Sequence, residues 1–226
     1  MLTKSSELLS IGLGEAGQQI LKNHLKDDKV NLLEKGSKVY CIFGFCNIRR
    51  FEEINNIMKE SILEFVNKIA EIVHENVHQH LGATNKNIGD VFLLVWKFKN
   101  SELIYKNSSQ ELAKFLNDND DGSDGEDEIN TIIDEDDWVP VLNPRSLIAK
   151  RKCDLAVMSF VKIFLTLQID KNLKDYSKRN LGGMKIDMGL GLHCGWAIEG
   201  AIGSEHKIDA RYFFIFFNLK LFISYG

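Results

Sequence analysis

Lys86-Asn87-Ile88-Gly89-Asp90-Val91-Phe92-Leu93-Leu94-Val95-Trp96 decides the fold. The apolar run Val91 to Trp96 has the length and the β-branched, aromatic composition of a buried strand. Ahead of it, Ile88-Gly89-Asp90 is turn chemistry, and a short strand near Ala83 to Ile88 leads into that turn. The turn sets a cation, Lys86, four residues from a carboxylate, Asp90. Gly89 sits between them, where a bulky side chain would block close approach of a ligand.

Working upstream, Val39-Tyr40-Cys41-Ile42-Phe43-Gly44-Phe45-Cys46 reads as a second buried strand, ending in Asn47-Ile48-Arg49-Arg50-Phe51. Between the two strands, Ile54, Ile57, Met58, Ile62, Phe65, Val66, Ile69, Val73 and Val77 recur at helical spacing. They predict one helix from Glu52 to Leu81, with Glu52 and Glu53 at its positive end and Gly82 as the stop. Downstream, Asp154 offers an N-cap for a second core helix, Leu155 to Gln168. Strands are expected at Lys185 to His193 and Trp196 to Ile202, and Gly189 to Gly203 has the glycine spacing of a tight strand pair. Strand-helix-strand, repeated, is the alternation of a ferredoxin-like α/β (α+β) sandwich.

The three segments around Asn47, Asp90 and Gly189 resemble the class III adenylate/guanylate cyclase catalytic domain, especially its protist-like variants, over about residues 8 to 210. The resemblance implies a ferredoxin-like fold and conversion of ATP to cyclic AMP and pyrophosphate for intracellular signalling. It implies two Mg2+ (or Mn2+) ions held by two aspartates at the ends of adjacent strands. Asp90 matches the second of these, and Asn47 stands where the first should be. An amide oxygen still coordinates, but one negative charge has gone from a site built for two dications. Ile48 to Phe51 match the segment whose backbone cradles phosphates at a helix N-terminus.

Lys86 matches the lysine that donates to adenine N1, and Asp209 the aspartate that accepts from the adenine amino group. The same likeness implies a head-to-tail homo- or heterodimer with a second cyclase domain, the sites forming at the interface. An Asn-x-x-x-Arg pair should follow the adenine aspartate; here the Phe-rich run Arg211 to Gly226 follows instead, so no catalytic residue is assigned. The chain alone is therefore expected to be inactive. A catalytically inactive homologue, binding a nucleotide or regulating a true cyclase, is the alternative.

These patterns divide the chain into a lead-in (1–33), a first part of the domain (34–98), an acidic insert (99–146), a second part (147–210) and an aberrant tail (211–226), ascribed to a misplaced exon boundary or a truncation after Ala210. The 226 residues suffice for one substantial core, or one core plus an insert. Asn117 to Asp137 carry 11 acidic residues and no Lys or Arg, and without them the formal charge of −4 becomes +7. A mildly basic remainder suits an anionic ligand such as a nucleoside triphosphate. No nucleic-acid partner is expected. Leu155 to Leu167 is interrupted by Lys162 and is too short to span a membrane, which needs about 20 apolar residues. The start lacks a secretory leader's pattern. A cytoplasmic domain is expected, with a membrane tether left open to a longer gene product. Cys41, Cys46, Cys153 and Cys194 lack paired spacing and read as reduced core thiols.

Three rival motifs fare worse. Gly12-Leu13-Gly14-Glu15-Ala16-Gly17 matches a dinucleotide fingerprint, but only Leu8 to Ile11 precedes it, so a turn before a helix is the simpler account. The acidic string from Asp120 has Gly122 and Thr131 at two calcium-ligand positions of an EF-hand. His74-Glu75-Asn76-Val77-His78 is a literal zinc-hydrolase motif, yet it sits at the solvated end of its helix, and polar surface histidines are the simpler account.

Overall fold

The structure is a computed structural model and describes residues 36–107, 138–204, 207–214 and 221–223. The glycine string near residue 12, the lead-in and the centre of the acidic insert lie outside the described residues.

β1 (Ser37–Ile48) leads through Arg49 and Arg50 into α1 (Phe51–Met58), a 3-10 turn and α2 (Ile62–Gln79). The hairpin of β2 (Ala83–Ile88) and β3 (Val91–Lys97) follows. β4 (Leu103–Asn107) and β5 (Trp138–Leu142) then form a separate two-stranded sheet. α3 (Leu147–Ile169), α4 (Lys171–Arg179) and β6 (Met188–Ser204) complete the second strand-helix-strand unit. β7 (Lys207–Phe214) and β8 (Leu221–Ile223) both pair with β6.

The main sheet runs β2-β3-β1-β6-β7, every neighbour antiparallel. This is the split arrangement of a ferredoxin-like fold, with β1 central. The strand alternation of β1 divides its residues between two faces. Ile42, Cys46 and Ile48 join Phe92, Leu94 and Trp96 of β3 beneath the helices, in the main core with Phe65, Ile69, Phe160 and Ile163. Val39, Cys41 and Phe43 face the other way, with Val95, Ala197 and Tyr212. A strand buried on both faces needs a continuous apolar run, which is why Val39 to Cys46 does not alternate in polarity.

Two buried carboxylates lock this frame. Glu199 accepts from Lys97 Nζ at 2.5 Å and from the Tyr212 hydroxyl at 2.9 Å. Glu102 accepts from Lys152 Nζ at 2.8 Å, and the same ammonium donates to the Lys97 carbonyl and lies over the Phe98 ring. Burial works against the Glu102 charge, but Lys152 and the Lys99 N–H outweigh it and hold its carboxyl below the usual range. That pair pins the start of α3 to the end of β3.

Several expectations need correction. The single helix over 52–81 is broken at Lys59, whose φ of 48° leaves the helical region and starts a new turn. No glycine or proline marks the break, so periodicity ran straight across it. Gly82 is not the left-handed stop; Leu81 takes that conformation at φ 59°. Gly82 is needed for space, since a Cβ there would lie 2.5 Å from the Trp96 ring and 2.7 Å from Val77. α3 begins after Ser146, whose hydroxyl accepts from the Ala149 N–H, and not at Asp154. The glycine-rich stretch is one continuous strand, β6, and not a strand pair; its hairpin partner is β7.

The ends of the expected insert are ordered as β4 and β5, where the sequence shows little alternation because Pro140 and a 3-10 turn interrupt it. The boundary drawn after Ala210 falls inside β7: Arg211 to Phe214 continue its pairing with β6, and Tyr212 is buried against Phe43 at a centroid distance of 5.4 Å. Cys41 and Cys46 are core thiols as expected, whereas Cys194 is exposed.

Candidate active site

Two groups of the residues expected to form a site are found at separate places. The first lies where β1 ends. Ile48 N–H donates to the Asp90 carbonyl at 3.0 Å, and Arg49 N–H to the Asp187 carbonyl at 2.9 Å. The strand end is thereby tied to the β2–β3 turn and to the segment before β6. That turn needs Gly89 for its φ of 60°; the space around its Cβ position is open, so crowding is not the reason for glycine there. A pocket of about 490 Å³ results, lined by Asn47, Ile48, Arg49, Arg50, Glu52 and Asp90, with Phe51 and Glu53.

Asn47 and Asp90, predicted as a metal pair, thus line one pocket. Ile48 does so as well, but its N–H is already bonded to Asp90, which removes it from a phosphate cradle. Phe51 opens α1, and the first-turn amides of a helix have no carbonyl four residues back. Arg50 precedes them in the left-handed region at φ 55°, a costly conformation for a side-chain-bearing residue. Its guanidinium pairs with Glu53 at 3.4 Å.

Gly189, opposite Asn47 in the β1–β6 register, shows how this pocket is filled. A Cβ on Gly189 would lie 2.2 Å from Asn47 Oδ1, 3.1 Å from Arg49 Nε and 3.2 Å from Arg49 Nη2. The Asn47 amide and the Arg49 guanidinium therefore share the surface over β6 that the missing side chain leaves. Two divalent cations call for several anionic oxygens. Here Asp90 supplies a carboxylate, Asn47 a neutral amide and Arg49 a competing positive charge, while Glu52 and Glu53 line the pocket from the first turn of α1, Glu53 being paired with Arg50. Among the described residues no group of three His, Cys, Asp or Glu stands close enough to hold a metal ion. The residues present do not fit a two-metal centre.

The second group is at the nominal opposite edges of the sheet. Lys86 on β2 and Asp209 on β7 are 123 residues apart in sequence and four strand steps apart in the sheet, yet Lys86 Nζ donates to Asp209 Oδ1. In a flat sheet four steps would separate these strands by about 19 Å. The contact requires the sheet to curl until its two edges face each other. Both side chains are partly buried. Arg211, two residues further along β7, donates from Nε to Asp209 Oδ2 at 2.8 Å. Lys86, and after it Arg211, hold the Asp209 carboxyl below its ordinary range.

Neither Lys86 nor Asp209 lines the pocket at Asn47. Arg49 and Arg211 are the charged neighbours that sequence reasoning missed. Arg211 was legible only through the two-residue period of a strand, and its segment had been set apart as a tail. The zinc motif gives no centre: His74 Nε2 donates to Asn87 Oδ1 at 3.1 Å and its ring packs edge-on to Phe92, while His78 is exposed. Among the described residues no helix is long and apolar enough to cross a membrane.

No protein-family model matches the chain, and no curated protein matches it in sequence. Solved structures do. A light-regulated bacterial adenylyl cyclase superposes with a TM-score of 0.55 at 16% identity, covering 95% of this chain and 46% of that one. The adenylyl cyclase CyaB from P. aeruginosa superposes with a TM-score of 0.50 at 12% identity, covering 80% of this chain and 69% of that one. The chain thus spans about half the length of the light-regulated enzyme. Its curled antiparallel sheet with helices packed on one face is the fold of the class III nucleotide cyclase catalytic domain.

Proposed function

We propose that the chain is an adenylate cyclase-like domain that recognises the adenine of ATP with Lys86 and Asp209 and works in a dimer with a second cyclase domain. The observation that carries this reading is the meeting of Lys86 and Asp209 across the curled sheet. An ammonium donor beside a carboxylate acceptor complements adenine, which offers an acceptor at N1 and a donor at its amino group. Guanine presents the reverse order and leaves both groups unpaired, which is strongly selected against.

The reaction turns the ribose 3'-hydroxyl onto the α-phosphate and expels pyrophosphate. Divalent cations supply charge neutralisation there, and this chain's own strand-end pocket is poorly suited to hold them. A partner domain with two aspartates would bring the metals, while Lys86 and Asp209 of this chain orient the base. A second reading, a nucleotide-binding regulator of a competent cyclase, is favoured by the Arg49 guanidinium beside Asn47.

Incubating the chain with Mn-ATP, alone and mixed with a competent cyclase domain, separates the two. Cyclic AMP formed by the mixture in a Lys86-dependent way supports catalysis in trans. Lys86-dependent binding of ATP with no added turnover supports the regulator. ATP bound no better than GTP would remove the basis of both.

A further inference from the structure

Asp209 has two carboxylate oxygens, and each is held by a different cation. Lys86 donates to Oδ1 and Arg211 Nε to Oδ2 at 2.8 Å. On the adenine reading above, on which this inference rests, the two bonds have different roles. Lys86 Nζ carries three N–H donors and Oδ1 accepts more than one bond, so Oδ1 is the oxygen that takes both Lys86 and the adenine amino group while Lys86 turns a donor to N1. Lys86 is then divided between the base and the carboxylate and no longer fixes the carboxylate by itself. The Arg211 bond is to Oδ2 and is not shared with the base.

The backbone explains why Arg211 can do this. Residues two apart on a strand project from the same face, so β7 delivers the guanidinium beside the carboxylate. The Nε–H bond fixes the rotation of the carboxylate. Arg211 is 56% exposed at its side chain, so its pairing adds little to folding. We propose that Arg211 is a positioning residue for nucleobase recognition, holding Oδ2 of Asp209 so that Oδ1 is presented to Lys86 and the adenine amino group.

The test is displacement of a fluorescent methylanthraniloyl-ATP from the full chain by ATP and by GTP. It compares wild type, Arg211→Gln, Arg211→Lys and Lys86→Ala, with circular dichroism confirming that each is folded. Arg211→Gln is expected to weaken ATP about fivefold and leave GTP unchanged, and Arg211→Lys to recover part of the loss. A purely structural arginine would weaken both nucleotides alike or neither, and that result overturns the proposal if Lys86→Ala still lowers the ATP preference. If Lys86→Ala also leaves the ATP-to-GTP ratio unmoved, the adenine reading itself has failed and the role of Arg211 falls with it.

Discussion

The Lys86–Asp209 contact, the proposed base end, and the strand-end pocket are built on the same sheet but differ in how their charges are arranged. At the base end one carboxylate, Asp209, is satisfied by two cations. In the strand-end pocket the carboxylates of Asp90, Glu52 and Glu53 share the lining with an amide, Asn47, and two guanidinium groups, Arg49 and Arg50. On the proposed reading a donor–acceptor pair for a base needs only two side chains, and the curl of the sheet brings Lys86 and Asp209 together. A centre for two dications needs a sum of negative charge, and losing a single carboxylate removes a large part of it. The Lys86–Asp209 pair is therefore complete at one end, while the other sets its carboxylates among cationic and amide groups.

The largest effect should come from breaking the base end. Lys86→Glu sets a second carboxylate against Asp209, removes the N1 donor and leaves Arg211 to neutralise both. ATP affinity, measured calorimetrically, should fall about 10- to 100-fold, the loss of a charged hydrogen bond and its replacement by repulsion. A change below about twofold would place the adenine contact elsewhere.

The strand-end pocket can be sharpened in the other direction. Asn47→Asp restores a carboxylate beside Asp90, and Mn2+ affinity, followed by electron paramagnetic resonance, should rise about tenfold. Adding Arg49→Ala should raise it further by removing a competing cation. Unaltered Mn2+ affinity in the double variant would show that neither the amide nor the guanidinium is what separates the two ends.

Proton titration should give the smallest difference. The Asp209 carboxyl is held low by Lys86 and then by Arg211, so its pairing contributes stability above the usual carboxylate range. That contribution disappears only as pH falls through the lowered value. Carbon NMR of the Asp209 carboxyl should therefore show it still ionised where exposed aspartates have taken up protons. Arg211→Gln should move it part of the way back, because Lys86 is the larger cause. Titration together with the exposed aspartates would break the account of the base end.

Much of this molecule was legible before its fold was known. The apolar runs at Val39 and Val91 became the strands of the core because a strand buried on both faces cannot afford polar residues. The turn at Gly89 and the repeated strand-helix-strand alternation behind the fold class followed from local pattern, although the first helix is two and α4 was not foreseen. Asn47 drew notice only through the family resemblance, which implies an aspartate in its place.

What local pattern could not reach was anything set by long-range approach. The helix break at Lys59 has no breaker residue, and one unbroken strand in place of a glycine-rich pair depends on the partners at both its edges. The continuation of β7 past Ala210 rests on backbone pairing with β6, to which Phe-rich composition is indifferent. Above all, Lys86 meets Asp209 only because the sheet curls, and Asn47 and Arg49 lie over β6 only because Gly189 leaves the space. The sequence determined which charges the chain owns; only the tertiary structure decided which of them stand together, because strand alternation is local while curvature is the sum of every strand in the sheet.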